Sequence, residues 1–179
     1  MTEFNFLLAG FGGQGVLFAG KAIAYSGMVA QKEVSWLPSY GPEMRGGTCN
    51  CSVCLSDRTI GSPLVTEPNG FIAMNLPSFD KYEPMVVPGG KIFYDSTLIG
   101  RPVARTDVQA FGVPATKLAA DNGMPTLANM ILVGKMIKET GVISTENIDK
   151  IIDKIVSARH QDLKDLNAKA IKMGFDYAE

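Results

Sequence analysis

Histidine is almost missing from this chain, and cysteine is scarce. His160 stands alone, and the three cysteines, Cys49, Cys51 and Cys54, fall within six positions. A single histidine far in sequence from any nucleophile does not support a Ser/His/Asp arrangement, and near the start of the final helix it reads as a solvated or helix-end residue. Three clustered cysteines make no disulfide framework. An excess of one charge is missing too: 17 basic residues against 18 acidic leave a net charge of −1. The lysines and arginines are scattered, so no face is expected for nucleic acid. No apolar run approaches the roughly 20 residues that span a bilayer. The first such run, Phe6 to Ala9, stops at Gly10, and Met1-Thr2-Glu3-Phe4 has no basic lead. The expectation is a cytoplasmic protein with neither export signal nor membrane segment. Repeats, linkers and low-complexity tracts are also absent. With 46% apolar and 20% charged residues over 179 positions, one domain covering 1–179 is expected.

What is present alternates between strand and helix signals, which favours an α/β fold with an open, mainly parallel sheet and flanking helices. The spacing predicts strands at Phe4 to Ala9, Glu33 to Leu37, Thr48 to Ser56, Gly70 to Asn75 and Lys91 to Asp95, with an edge strand over Val103 to Ala110. A helix opens at about Val16, with Val16, Ala19 and Ile23 on one side and Gly27 as its stop. Ser78 is the expected cap of a short helix. Pro38 to Gly47 reads as a loop. The last third is helical: Leu127, Met130, Ile131, Gly134 and Ile137 mark one face, ended by Gly141. Ser144 or Thr145 opens a helix carrying Ile148, Ile151, Ile152 and Ile155, and Leu163, Leu166, Ala170 and Met173 mark the last.

Gly10, Gly12 and Gly15 match G-x-G-x-x-G between a predicted strand and a predicted helix, the context that gives the pattern meaning. Such a turn brings backbone N–H groups and the positive end of a helix against an anionic group. Lys21, two turns into that helix, is a candidate to add charge. The alternative is a glycine turn that only lets helix and strand pack closely. A dinucleotide site also needs an acidic residue at the end of the second strand; Glu33 falls before that strand, which counts against NAD. No Gly-Lys-Ser/Thr follows, so this is not a Walker loop.

No Gly-Asp-Gly segment with a metal-ligand asparagine is found, so thiamine diphosphate is not expected on this chain alone. Cys49 and Cys51 share a strand face with Val53 and Leu55 while Cys54 points the other way. They read as core thiols, not cluster ligands, and no metal site is expected. Glu43 and Arg45 form a charged pair in a Gly/Pro loop, where either a functional role or an ion pair pinning the loop fits. Trp36 reads as core or interface.

Pro38-Ser39-Tyr40-Gly41-Pro42-Glu43-Met44-Arg45-Gly46-Gly47-Thr48 resembles the signature segment of 2-oxoacid:ferredoxin oxidoreductase gamma subunits. Gly10-Phe11-Gly12-Gly13-Gln14-Gly15 is similar to the loop that opens them. The likeness continues through Ala73-Met74-Asn75, Asn129 to Gly134 and Asn167 to Ala170. It implies a Rossmann-like domain in an assembly that decarboxylates a 2-oxoacid, reduces ferredoxin and makes an acyl-CoA. It implies alpha, beta and delta subunits as partners, carrying thiamine diphosphate, Mg and iron–sulfur clusters. By likeness to the fused pyruvate enzymes, Gly10, Gly12, Gly13, Gln14, Gly15 and Lys21 are candidates for a coenzyme A phosphate site. Ser39, Tyr40, Gly41, Pro42, Glu43, Arg45 and Gly46 are candidates for a signature loop or subunit interface. No catalytic residue is assigned. A subunit built for an assembly is expected to self-associate when isolated, through Trp36, Leu37 and Met44. The short chain suits a multisubunit enzyme acting on 2-oxoglutarate or a branched-chain 2-oxoacid; a freestanding nucleotide- or CoA-binding module is the alternative.

Overall fold

A computed structural model describes residues 3–41, 46–157 and 161–178. The strands are β1 (Phe4–Phe11), β2 (Glu33–Tyr40), β3 (Thr48–Ser56), β4 (Gly70–Ala73), β5 (Lys91–Asp95) and β6 (Gln109–Val113). The helices are α1 (Val16–Val29), α2 (Leu76–Tyr82), α3 (Ala115–Asp121), α4 (Ala128–Thr140), α5 (Ile148–Ile155) and α6 (Gln161–Asp176). The strands form one sheet in the order β2-β3-β1-β4-β5-β6. β3 is antiparallel to both β1 and β2, and β1, β4, β5 and β6 pair in parallel. Five of the six strands therefore run one way, as the alternating pattern anticipates.

Alternation along β1 divides the core. Phe6 and Leu8 face one side with Cys49, Cys51, Val53 and Leu55 of β3, under α1, α3, α4, α5 and α6. Leu7 and Ala9 face the other with Phe71, Ala73 and Phe79, covered by α2 and loops. Cys54 turns to that second side, toward the Ser62 carbonyl. Phe6, Phe71, Phe79 and Phe93 are fully buried, each contributing roughly 1.5–3 kcal/mol.

Several expectations need correction. Pro38, Ser39 and Tyr40 belong to β2, not to a loop, because they pair with Cys51, Asn50 and Cys49 of β3. Proline is tolerated there since β2 is an edge strand. Gly10 and Phe11 likewise continue β1, opposite Cys49 and Thr48. Gly27 does not stop α1; a Cβ there would lie 2.4 Å from Leu55 Cδ2, so the glycine admits close helix–sheet packing. The chain turns instead at Gln31, with φ 57. α2 is capped by Asn75, whose Oδ1 accepts from Ser78 N–H at 2.8 Å, so Ser78 is the residue capped. The last strand is Gln109–Val113 instead of 103 to 110. Arg105 is held outside the sheet by the Glu83 and Val86 carbonyls and Asp107. Asn147 precedes α5, after a 3₁₀ turn at Thr145–Asn147. Gly141, left-handed at φ 61, ends α4 as expected.

Candidate functional site

From β1 the chain first builds β2 and β3 on one side, then crosses to build β4, β5 and β6 on the other. The reversal falls between β1 and β4, and in open α/β sheets a crevice forms outside the strand carboxyl ends at such a point. A crevice of about 200 Å³ lies there, lined by Gly13, Gln14, Met74, Asp95, Thr116, Pro125, Thr126, Ala128, Asn129 and Leu132. It joins the ends of β1, β4 and β5 to the starts of α1, α3 and α4.

The glycine loop forms one wall. Gly13 and Gly15 take left-handed backbone, at φ 102 and φ 75, which glycine adopts without steric cost. Their N–H groups find no acceptor among the described residues, and the first N–H of the α1 region with a carbonyl partner is Ala19, bonded to Gly15 at 3.0 Å. α1 therefore opens next to the crevice-lining Gly13 and Gln14 with uncapped donors and no acidic residue in its first turn. α4 does the same: Leu127 caps nothing with its side chain, and no acidic residue follows in the first turn. Asn129 at that end of α4 donates Nδ2–H to the Gly15 carbonyl at 3.0 Å, which locks the two helix starts together.

The side chains of the loop and its helix turn in different directions. Gln14 folds back onto the protein: its Oε1 accepts the Phe11 N–H at 2.7 Å, and its Nε2–H donates to the Met74 carbonyl at 2.8 Å. It ties the loop to the ends of β1 and β4, leaving the backbone to face a ligand. Gly10 is required by that fold-back, since a Cβ there would lie 2.7 Å from Gln14 Oε1. Gly12 is a tether: its N–H donates to Gly47 O at 2.9 Å and its carbonyl accepts from Gly46 N–H at 3.3 Å. Lys21 is not brought to the crevice. It borders a groove with Tyr25, Met28, Val34 and Trp36, its ammonium 5.8 Å from the Tyr25 ring centre.

The Gly12 tether joins the two segments singled out in the sequence, because Gly46 belongs to the signature segment. Gly41 closes the near end of that segment, its N–H bonded to Thr48 O at 2.9 Å. Ser39 and Tyr40 are in β2 and exposed. Burial lifts the Cys49 thiol above its usual value, and slight desolvation of the exposed Tyr40 phenol, with the Cys49 charge beside it, raises the tyrosine as well. Pro42, Glu43, Met44, Arg45 and His160 lie outside the described residues. Glu33 starts β2, at the opposite end of that strand from its carboxyl end, so it is misplaced for a ribose contact.

Asp95 and Thr116 are among the crevice residues to which the sequence reading gave no role. Asp95 is 2% exposed at the end of β5. It accepts from Thr97 N–H at 3.0 Å, Thr116 N–H at 3.1 Å and the Thr116 hydroxyl at 2.5 Å. A carboxylate closing an apolar strand, Lys91 to Asp95, is the signal that marked it. Among the described residues no group of three His, Cys, Asp or Glu side chains converges as a metal site, and no helix is long and apolar enough to cross a membrane.

A reversed-order α/β sheet with a glycine loop at its switch point defines the class: a Rossmann-like domain. The chain belongs to the pyruvate ferredoxin/flavodoxin oxidoreductase family, whose pattern it matches over residues 5–177. It is 37% identical over 178 residues to ketoisovalerate oxidoreductase subunit VorA of Methanothermobacter thermautotrophicus, covering 98% of this chain but 36% of that protein. The keto/oxoacid ferredoxin oxidoreductase gamma subunit of Geobacter sulfurreducens superposes with a TM-score of 0.81 at 28% identity, over 97% of this chain and 96% of that one. A 2-oxoglutarate:ferredoxin oxidoreductase from Magnetococcus marinus, solved with 2-oxoglutarate, coenzyme A and succinyl-CoA bound, shares the fold. Its TM-score is 0.86 at 21% identity, over 97% of this chain and 30% of that one. The chain thus spans about a third of two of these relatives and nearly all of the third.

Proposed function

We propose that this chain is the gamma-type part of a 2-oxoacid:ferredoxin oxidoreductase, and that its switch-point crevice takes a phosphate of coenzyme A. One observation carries the reading: the uncapped start of α4 meets the left-handed Gly13, in the loop that leads into the uncapped α1, at one small crevice. Backbone N–H groups at a helix start favour an anion through both hydrogen bonding and the helix dipole. Asp95 does not cancel this, because three donors already engage its carboxylate.

Size sets the chain's share of the work. Sites that enclose a drug-sized ligand measure roughly 300–1,000 Å³, and this crevice measures about 200 Å³. It holds a phosphate and its neighbouring carbons, so the rest of coenzyme A lies against other subunits. Thiamine diphosphate, Mg and the iron–sulfur clusters belong to alpha, beta and delta partners, and ferredoxin receives its electrons through the assembled complex. The oxoacid is a branched-chain 2-oxoacid or 2-oxoglutarate, in keeping with the names of the ketoisovalerate and 2-oxoglutarate relatives. The signature segment, bonded to Gly12, links the crevice to a subunit interface.

Thr126 tests the reading because it is exposed on the crevice rim. In the reconstituted complex, Thr126→Glu raises the coenzyme A KM about tenfold, equivalent to about 1.4 kcal/mol, and Thr126→Lys lowers it. The 2-oxoacid KM does not follow the sign of the charge. Equal coenzyme A constants in both variants would exclude the crevice as the phosphate site.

A further inference from the structure

α1 is apolar almost all the way round. Lys21 is the single charged residue among its fourteen, whereas α6, which meets solvent along one side, carries six charges in sixteen residues. A helix without a polar side belongs in an interior, covered on every face. The sheet covers the inner face of α1, so closely that a Cβ on Gly20 would stand 2.3 Å from Cys51 Sγ, and α5 packs against a flank. The outer face stays open. There Lys21, Tyr25 and Met28 recur at i, i+4 and i+7, and with Val34 and Trp36 of β2 they line a groove of about 560 Å³. Met28 is 60% exposed. Trp36 forms a fixed wall: its indole N–H donates to the Cys51 sulfur, which pins the ring while part of it faces the groove. The charge at the rim has one sign. Lys32 is bonded to Asp57 at 2.6 Å, but the exposed Lys21 has no carboxylate bonded to it among the described residues, and none lines the groove.

We infer that this groove docks a helix of a companion subunit, an amphipathic one whose apolar side lies along α1 against Trp36 and Met28 and whose carboxylate meets Lys21. This rests on the gamma-type reading above and adds to it the surface and the chemistry of the contact. Two of the relatives carry the same domain as 36% and 30% of a longer chain, so in them much more protein is tethered to it; here that protein comes as separate subunits. The stripe from Lys21 to Met28 runs about 10 Å along the helix axis, and a second helix beside it offers side chains at the matching interval. A held tryptophan next to an adaptable methionine makes an interface anchor. A second copy of this chain suits the groove less well, because groove-to-groove contact under two-fold symmetry brings two positive rims together. A small ligand also suits it less well. Such sites place several polar groups to orient the molecule, and here the Trp36 N–H is already committed to Cys51.

The test is equilibrium binding of the full chain to its purified companion subunits, with carbodiimide crosslinking of the assembled complex. Met28→Asp raises the dissociation constant about 30-fold, the cost of a central interface residue. Lys21→Glu raises it about tenfold, a penalty that shrinks as salt rises, while Lys21→Arg stays within about twofold of the wild type. Both positions are exposed, so the melting temperatures of the variants match that of the wild type. Carbodiimide joins the Lys21 amine to an Asp or Glu of a companion subunit, in a segment with apolar residues three and four positions apart. Full affinity in both Met28→Asp and Lys21→Glu overturns this inference and leaves the gamma-type reading standing, as does a Lys21 crosslink to a second copy of this chain. Failure of the wild type to bind any companion subunit overturns both.

Discussion

Cys51 lies between β3 and α1 with no exposed surface, so close to the helix that a Cβ on Gly20 would sit 2.3 Å from its sulfur. Burial first, then the Cys49 charge, pushes its thiol up to about 12 from the ordinary 9.0. Above pH 9 the unfolded chain gives up this proton while the native one keeps it, so stability falls as pH rises. The contribution is complete below about 9 and is lost toward about 12. In urea melts, the wild type loses up to about 1.4 kcal/mol per pH unit more than Cys51→Ala across that window. Parallel pH dependences in the two proteins would contradict it. At this scale the sequence placed Cys49 and Cys51 on one face and Cys54 on the other, since strand alternation is local. It did not show which way Gln14 and Lys21 turn, because where a polar side chain turns depends on acceptors such as the Met74 carbonyl, 60 positions away.

Among elements, the closest seam is between α4 and α6. A Cβ on Gly134 would lie 2.0 Å from the Ile171 carbonyl oxygen, and one on Gly174 would lie 1.8 Å from that of Ile131. These obstacles are backbone, so the helices must separate to admit a methyl group. Gly134→Ala and Gly174→Ala each destabilise the fold by about 1–3 kcal/mol or more, measured by urea unfolding. Gly61→Ala, with nothing within 4 Å of the added Cβ, leaves stability within about 0.5 kcal/mol. The seam also secures the site, since Asn129 stands in the first turn of the same α4. Helical periodicity located α4, α5 and α6. It did not reveal the seam, because Gly134 looked like any small residue on an apolar face. Similarly, Pro38 and the glycines after Tyr40 signalled a loop, and only pairing with β3 carries β2 through to Tyr40.

For the whole molecule, β2 is the exposed edge of the sheet. Trp36, Leu37 and Tyr40 along it are 37%, 38% and 47% exposed, and Glu33 is its only charged residue. Pro38 interrupts strand pairing along it, but an exposed apolar row without lysine favours burial against a second copy. We propose that the isolated chain pairs with a second copy through this edge. Sedimentation then shows a concentration-dependent dimer that Leu37→Lys abolishes; a wild-type monomer throughout would refute it. By itself the sequence determined the α/β class, the order of nearly all elements, the two core faces and the glycine loop. Each of these follows from periodicity and from residue conformations that act over a few positions. Tertiary structure decided that the signature segment bonds to Gly12, that Asp95, Thr116 and Asn129 close the crevice, and that Lys21 stands apart from it. Those arrangements depend on strand order and helix packing, which bring together residues 21 to 114 positions apart that no local pattern connects.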